Sequence, residues 1–341
     1  MENNLNDELF ELEDSTEEKT ISLEEELGMS TDELFTRVDN NEAQAEKISA
    51  PRYSYWKSVF RVFFKNKVNI VVLVILLLIL LISFVYPLFI NFDQMANVTK
   101  YDMQHLTPGG AISKYGFSIK WIWGTGKYGE SLFEATWVGS RLSLELAFVC
   151  AAINMTIGVI IGAVWGYSKR FATVMQEIYN ILGNIPYILL ISVLVLVVGA
   201  SFWSYVFALC VTGWLGVAYF IRTQVIIIRD REYNLASRCL GTPLYRVTTK
   251  NILPFLTSVI VTLLAQEIPS YISYEVYLSY LGFGLSGLTL GKLIQQGEES
   301  MFIASRAFEF WIPVAVASVI TIVLYIIGQN LGDASDPRTH M

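Results

Sequence analysis

The chain has 341 residues, 53% of them hydrophobic and only 16% charged, with a formal net charge of −7. That balance is too apolar for one soluble globule of ordinary composition, so the excess must lie in lipid. Its three cysteines, Cys150, Cys210 and Cys239, have no CxxC spacing and cannot all pair, which argues against a disulfide framework.

Residues 1–50 hold 16 Asp and Glu against Lys19, Arg37 and Lys47, a net −13, which leaves +6 on the remaining 291 residues. This segment has too few apolar side chains to build a core and reads as an acidic disordered cytoplasmic tail. Ser22-Leu23-Glu24-Glu25 and Ser30-Thr31-Asp32-Glu33 fit the capping-box pattern of short nascent helices. Residues 51–67 then interleave Tyr53, Tyr55, Trp56, Phe60, Phe63 and Phe64 with Arg52, Lys57, Arg61, Lys65 and Lys67. Rings and cations in that mixture suit the headgroup layer of a membrane, and resemble a nucleic-acid patch only in composition.

Crossing about 30 Å of hydrocarbon takes roughly 20 apolar residues. Val68 to Ile90 contains no charge, and 67 mostly polar residues precede it, so it is a retained anchor rather than a signal peptide. Five further spans are predicted at Leu142–Tyr167, Val174–Ala200, Trp203–Ile221, Phe255–Leu281 and Trp311–Leu331. The expected fold is therefore an all-α polytopic membrane protein with six transmembrane helices. A polar loop, Asn91–Arg141, separates the first two spans, and a second long connection, Gly282–Phe310, separates the last two. With the N-terminus inside, cytoplasmic flanks hold fourteen Lys and Arg and the opposite side seven, which predicts both termini in the cytoplasm.

Several motifs carry less than they suggest. Gly282-Phe283-Gly284-Leu285-Ser286-Gly287 matches GxGxxG, but a membrane helix and not a strand precedes it. The chain has no GxxxxGK[ST], so any ATP must be hydrolysed by a partner. With only His105 and His340, a Ser/His/Asp or Cys/His constellation and a His-rich metal site are disfavoured, and the chain is not expected to be an enzyme.

Ionisable residues within apolar spans must face protein or water. Glu145 and Glu177 lie near predicted helix ends. Glu267 lies deeper, with Gln266, Tyr271, Tyr274 and Glu275 around the helix-breaking Pro269. These five residues are candidates for a translocation pathway, with structural bonding between helices as the equal alternative. Between Arg222 and Lys250, Ile226, Ile227, Ile228, Leu235, Ala236, Leu240, Leu244 and Val247 alternate with Arg229, Asp230, Arg231, Glu232, Arg238, Arg246 and Lys250. That pattern predicts an amphipathic cytoplasmic helix pair, broken at Gly241 and Pro243, whose apolar face needs a protein partner.

Glu232-Tyr233-Asn234-Leu235-Ala236-Ser237-Arg238-Cys239-Leu240-Gly241, followed after nine residues by Asn251-Ile252-Leu253-Pro254, resembles the EAA loop of ABC importer permeases. Other segments extend the likeness over residues 55–338. They are Lys65-Asn66-Lys67, Trp123-Gly124-Thr125 with Gly129, Ser140-Arg141-Leu142-Ser143, Tyr274-Glu275 with Leu281-Gly282-Phe283-Gly284, and Asn330-Leu331-Gly332-Asp333 to Asp336-Pro337-Arg338. Together they are similar to the C-type subunit of oligopeptide and dipeptide permeases. Leu235 stands where the family has the acid that names the motif, with Glu232 one helical turn away.

The resemblance implies a type I ABC importer permease of MetI-like architecture, with a six-span domain over residues 68–338, an outer loop at 91–141 and a coupling loop at 222–253. It implies that Glu232, Leu235, Ala236, Ser237, Arg238, Leu240, Gly241 and Pro254 dock on a cytoplasmic ATPase. The implied partners are a homologous second permease, two ABC ATPases that bind ATP-Mg, an extracellular peptide-binding protein and the peptide itself. No cofactor is expected in this chain, and no nucleic acid. The rival readings are an ion-gradient-driven secondary transporter that uses Glu267 and Glu275, a permease for another solute such as a nickel chelate, and a scaffold that recruits partners through its tail.

Overall fold

The computed structural model describes residues 55–335. The acidic tail with its capping boxes, Arg52, Tyr53, Asp336-Pro337-Arg338 and His340 lie outside them. Eleven helices order the described chain: α1 (Tyr55–Lys65), α2 (Lys67–Val85), α3 (Pro108–Tyr115), α4 (Leu132–Tyr167), α5 (Lys169–Gly183), α6 (Tyr187–Val198), α7 (Phe202–Arg229), α8 (Glu232–Cys239), α9 (Thr257–Tyr280), α10 (Leu290–Gly297) and α11 (Phe308–Ser335). Shorter turns join them. Segments Lys67–Leu88, Leu132–Tyr167, Phe202–Arg229, Val247–Tyr280 and Phe308–Ser335 are each long and apolar enough to cross a membrane. The bent pair α5 and α6 brings the number to six when it is counted as one broken span.

Three boundaries differ from those expected, each for a local reason. The predicted third span, Val174–Ala200, is two helices meeting at 82°. Pro186 lacks an amide hydrogen and drives Ile185 out of helical geometry, so the chain turns at Asn184-Ile185-Pro186. The second span starts ten residues early, at Leu132, because Ser131 caps it and accepts the Glu134 amide hydrogen at 3.2 Å. The fourth runs on to Arg229 and takes Ile226, Ile227 and Ile228 out of the expected loop. Serine, threonine or asparagine caps α2, α3, α5, α7 and α10 in the same way.

The core forms where backbones approach closely. On α4, Gly158, Gly162 and Gly166 recur every fourth residue and lie against Val217, Ala218, Ile221 and Val225 of α7. A Cβ at Gly162 would come within 2.8 Å of the Ile221 Cβ, so this seam admits only glycine. Gly328 and Gly332 bring α11 equally close to Ala265 and Thr262 of α9. Between these seams α9 packs on both α4 and α11, so its side chains are held from two directions. Asn330 donates to Asn69 at 2.7 Å, tying α11 to α2. Exposed Val68, Val71, Leu77 and Leu81 give α2 an apolar outer face suited to lipid.

The connection after α2 is ordered. Thr125 hydroxyl donates to the Met103 carbonyl at 2.5 Å and accepts the Leu106 amide hydrogen at 2.9 Å. His105, with φ at 56°, places its Nδ1 2.7 Å from Glu309 at the start of α11, and Ser300 donates to the other Glu309 oxygen at 2.9 Å. These bonds fasten the loop onto the end of the bundle where residues 281–307 also lie.

Candidate coupling surface and membrane cavity

At the opposite end of the bundle, α8 is the one free-standing helix of the segment expected to hold a helix pair. The rest is a single turn at Leu244–Arg246 and a π-helical stretch, Val247–Ile252, that leads through Leu253–Leu256 into α9. α8 ends by left-handed geometry. Gly241 has φ of 75°, and the Thr242 amide donates to the Ser237 carbonyl at 3.1 Å, which consumes a carbonyl the helix leaves unpaired. Only glycine adopts that backbone without strain.

The segment is tied to the spans at five points. Buried Asn234 donates to the Ile228 carbonyl at 2.8 Å, joining α8 to the end of α7. Arg229 donates to the Gly166 carbonyl at 2.9 Å, which joins α7 to the end of α4, and grips Asp230 through two bonds of 2.8 and 3.0 Å. Asn251 donates to Ser237 at 3.4 Å, and the Arg238 guanidinium sits 5.9 Å from the Tyr167 ring centre. Pro254 opens the short turn before α9, and Tyr233 lies beside Phe255.

Between these anchors the outer face is apolar and bare. Leu240 is 86% exposed and Tyr245 68%, and Leu235, Ala236 and Tyr233 are exposed beside them. Glu232 and Arg238 are exposed around them. An apolar knob held on rigid anchors and rimmed by charge is the form a docking surface takes.

Inside the bundle, α9 carries two carboxylates eight residues apart. Glu275 is fully buried and saturated with donors: Ser143 at 3.0 Å, Ser279 at 2.7 Å, the Gly291 amide at 3.4 Å, and Thr289. Ser143 accepts the Leu290 amide hydrogen at 3.1 Å, so one serine and one glutamate knit α4, α9 and α10 together. Glu267 is half-buried and opens on a cavity of about 230 Å³ lined by Tyr187, Thr212, Ser270, Tyr271 and Tyr274. Gly213 and Gly216 of α7 form its floor. Asn154 donates to the Tyr271 hydroxyl at 2.7 Å, and that phenol lies beside the Glu267 carboxylate. Tyr187 meets Tyr274 edge to face with ring centres 4.9 Å apart.

A six-crossing helical bundle whose α8 projects an apolar knob from the spans is the architecture that the resemblance anticipated, and comparison with known proteins decides the family. Residues 155–341 match the family described as binding-protein-dependent transport system inner membrane component, and residues 54–108 match the N-terminal transmembrane domain of oligopeptide transport permease C. This chain belongs to that permease family. It is 44% identical to the oligopeptide transport system permease protein AmiD of Streptococcus pneumoniae, over 90% of this chain and 98% of the relative. The dipeptide transport system permease protein DppC of Lactococcus lactis is 31% identical over 89% and 97%, and the oligopeptide transport system permease protein OppC of Bacillus subtilis 29% over 89% and 97%.

The permease is thus a multi-pass membrane protein, and its structure sorts the residues singled out in the sequence. Glu232, Leu235, Ala236, Arg238, Leu240 and Gly241 are all exposed on the segment between α7 and α9, while Ser237 turns inward to Asn251. Glu267, Tyr271 and Tyr274 meet at one cavity. Gln266 faces elsewhere, into a cleft of about 410 Å³ shared with Phe220, Ser258, Thr262 and Asp333. Glu275 belongs to neither opening and serves as a bond between helices. Glu145, well inside α4 because that helix starts at Leu132, pairs with Arg141 at 2.8 Å, and Glu177 on α5 is exposed. Sequence reading missed Asn154, Thr212 and the glycine seam. The recurrence of glycine at 158, 162 and 166 was the available signal for the last.

Proposed function

We propose that this chain is one of two membrane-spanning subunits of an ATP-driven peptide importer. The observation that carries the proposal is the exposed apolar knob of Leu235, Ala236, Leu240 and Tyr245, fixed to α7 and α4 by Asn234 and Arg229 in a chain related to oligopeptide and dipeptide permeases. A bare apolar face on the aqueous side of a membrane protein calls for a partner, and rigid anchors suit a lever. In this reading the face docks on one of two cytoplasmic ATPases, which bind ATP-Mg, since this chain has no phosphate-cradling loop of its own.

ATP-driven closure of those subunits pushes α8, and the push passes through Asn234 to α7 and through the turn at Pro254 to α9. The two permeases then exchange an inward-facing for an outward-facing cavity. Peptide arrives from an extracellular binding protein at the face formed by residues 89–131 and 281–307. The fourteen-to-seven split of Lys and Arg supports that orientation, with both termini cytoplasmic. Glu267, Tyr271 and Tyr274 line this chain's half of the pathway.

Ala236→Asp tests the reading, because it sets a charge in the centre of the docking face at a cost of about 3–5 kcal/mol when buried unpaired. The variant is expected to reach the membrane in normal amount, to lose its co-purifying ATPase and to abolish peptide uptake. Wild-type uptake and ATPase recovery in the Asp variant would remove the coupling role.

A further inference from the structure

The cavity beside Glu267 is unusual in what it leaves unpaired. Among the described residues no Lys or Arg forms an ion pair with Glu267. Its neighbour is the Tyr271 phenol, whose oxygen already accepts from Asn154, so the phenol proton turns toward the carboxylate. Thr212 in the same wall is more than nine-tenths buried, and its hydroxyl finds no partner among the described residues, nor does Asn154 Oδ1 behind Tyr271. Three tyrosines border the space, and Gly216 leaves it open, since a Cβ there would meet nothing within 4 Å.

A lone carboxylate framed by tyrosine rings is the chemistry that receives an ammonium group, by charge-assisted hydrogen bonding and by cation–π attraction. That arrangement matches one end of a peptide, which carries the α-ammonium. Size agrees. About 230 Å³ is below the roughly 300–1,000 Å³ that encloses a drug-sized ligand, so the space accepts one residue and not a whole peptide.

We infer that Glu267, with Tyr187 and Tyr274, forms a subsite within the membrane that holds the N-terminal residue of the transported peptide through its α-ammonium. The inference rests on the peptide-importer reading and adds a determinant of specificity that lies in the permease itself. Glu275, two turns along α9, has no such role because its oxygens are already occupied.

The test uses the assembled transporter with its ATPases and binding protein in proteoliposomes, at saturating peptide, so that selection by the binding protein is removed. Three labelled probes are compared: Ala-Ala-Ala, N-acetyl-Ala-Ala-Ala and N-acetyl-Ala-Lys-Ala. Wild-type transporter should carry the free-amine peptide fastest. Glu267→Gln should cut that preference over the acetylated trialanine roughly tenfold or more, slowing the free-amine peptide more than the acetylated one, and Glu267→Asp should restore part of it. An unchanged ratio in Glu267→Gln, or equal loss of all three peptides, would overturn the subsite while leaving the importer standing. Equal sensitivity of the lysine peptide would overturn the α-ammonium as the group that is read. If the wild type carries none of the probes under ATP, the importer reading fails and the subsite with it.

Discussion

Glu275 and Glu267 sit on one helix, eight residues apart, in a stretch of similar composition, yet they occupy opposite kinds of environment. Around Glu275, three helices converge and every carboxylate oxygen meets donors from Ser143, Ser279, Thr289 or the Gly291 amide. Around Glu267 the bundle is open, with one phenol for a neighbour and a cavity in front. A buried carboxylate surrounded by donors behaves as a structural cross-link, because removing it leaves several buried donors unsatisfied. A carboxylate beside empty space costs the fold little to lose and is free to meet a ligand. The supply of donors thus tells a cross-linking carboxylate inside a span from an open one.

The largest expected effect follows from that contrast. Glu275→Ala should destabilise the permease by about 3 kcal/mol or more, since Ser143, Ser279 and the Gly291 amide lose their acceptor together. Glu267→Ala should stay within about 1 kcal/mol of wild type. Thermal unfolding in detergent, followed by size-exclusion chromatography, compares the two. Equal losses would erase the distinction between cross-link and open site.

The same contrast holds for glycines. Gly162→Ala drives a methyl group into Ile221 and Ala218 and should cost about 1–3 kcal/mol by overpacking the seam between α4 and α7. Gly216→Ala meets open space at the cavity floor and should be neutral, or stabilise α7 by up to about 1 kcal/mol through helix propensity. A reversed order in the melting temperatures of the two variants would mean that the seam yields and the cavity does not.

A third carboxylate sharpens the comparison with a smaller effect. Glu130, next to the capped start of α4, is 4% exposed and accepts the Tyr128 amide hydrogen at 2.8 Å. Burial first, and the charge of Glu309 after it, push its carboxyl above the ordinary 4.5, against the pull of hydrogen bonds from Tyr128 and Gln94. The folded state therefore binds this proton more tightly than the unfolded chain does. Its contribution to stability is full below about 4.5 and declines as pH rises through the elevated value. Glu130→Gln keeps a carbonyl acceptor and removes the titration. Its melting temperature should gain on wild type between about pH 4.5 and neutrality, and parallel pH curves would show that the donors around Glu130 already suffice.

The sequence by itself determined the membrane class, the six crossings counted with the broken one, and the exposed amphipathic segment with its break at Gly241. These follow from local chemistry: apolar runs long enough for a bilayer, and a glycine where the backbone needs positive φ. The break at Pro186 and the early start at Ser131 were also written there, in a proline and in Ser131-Leu132-Phe133-Glu134, a capping pattern that a hydropathy reading passes over. What separates Glu267 from Glu275 was not. Both look alike along the chain, and their difference arises from Ser143, Thr289 and Gly291, which lie far away in sequence or across a turn and are brought to one of them alone. Asn154 and Thr212 acquire meaning in the same way, since only the packing of α4, α7 and α9 sets them against one cavity. The partners of a buried polar group are supplied by other helices, and a linear pattern records that such a group exists but not whether it is satisfied.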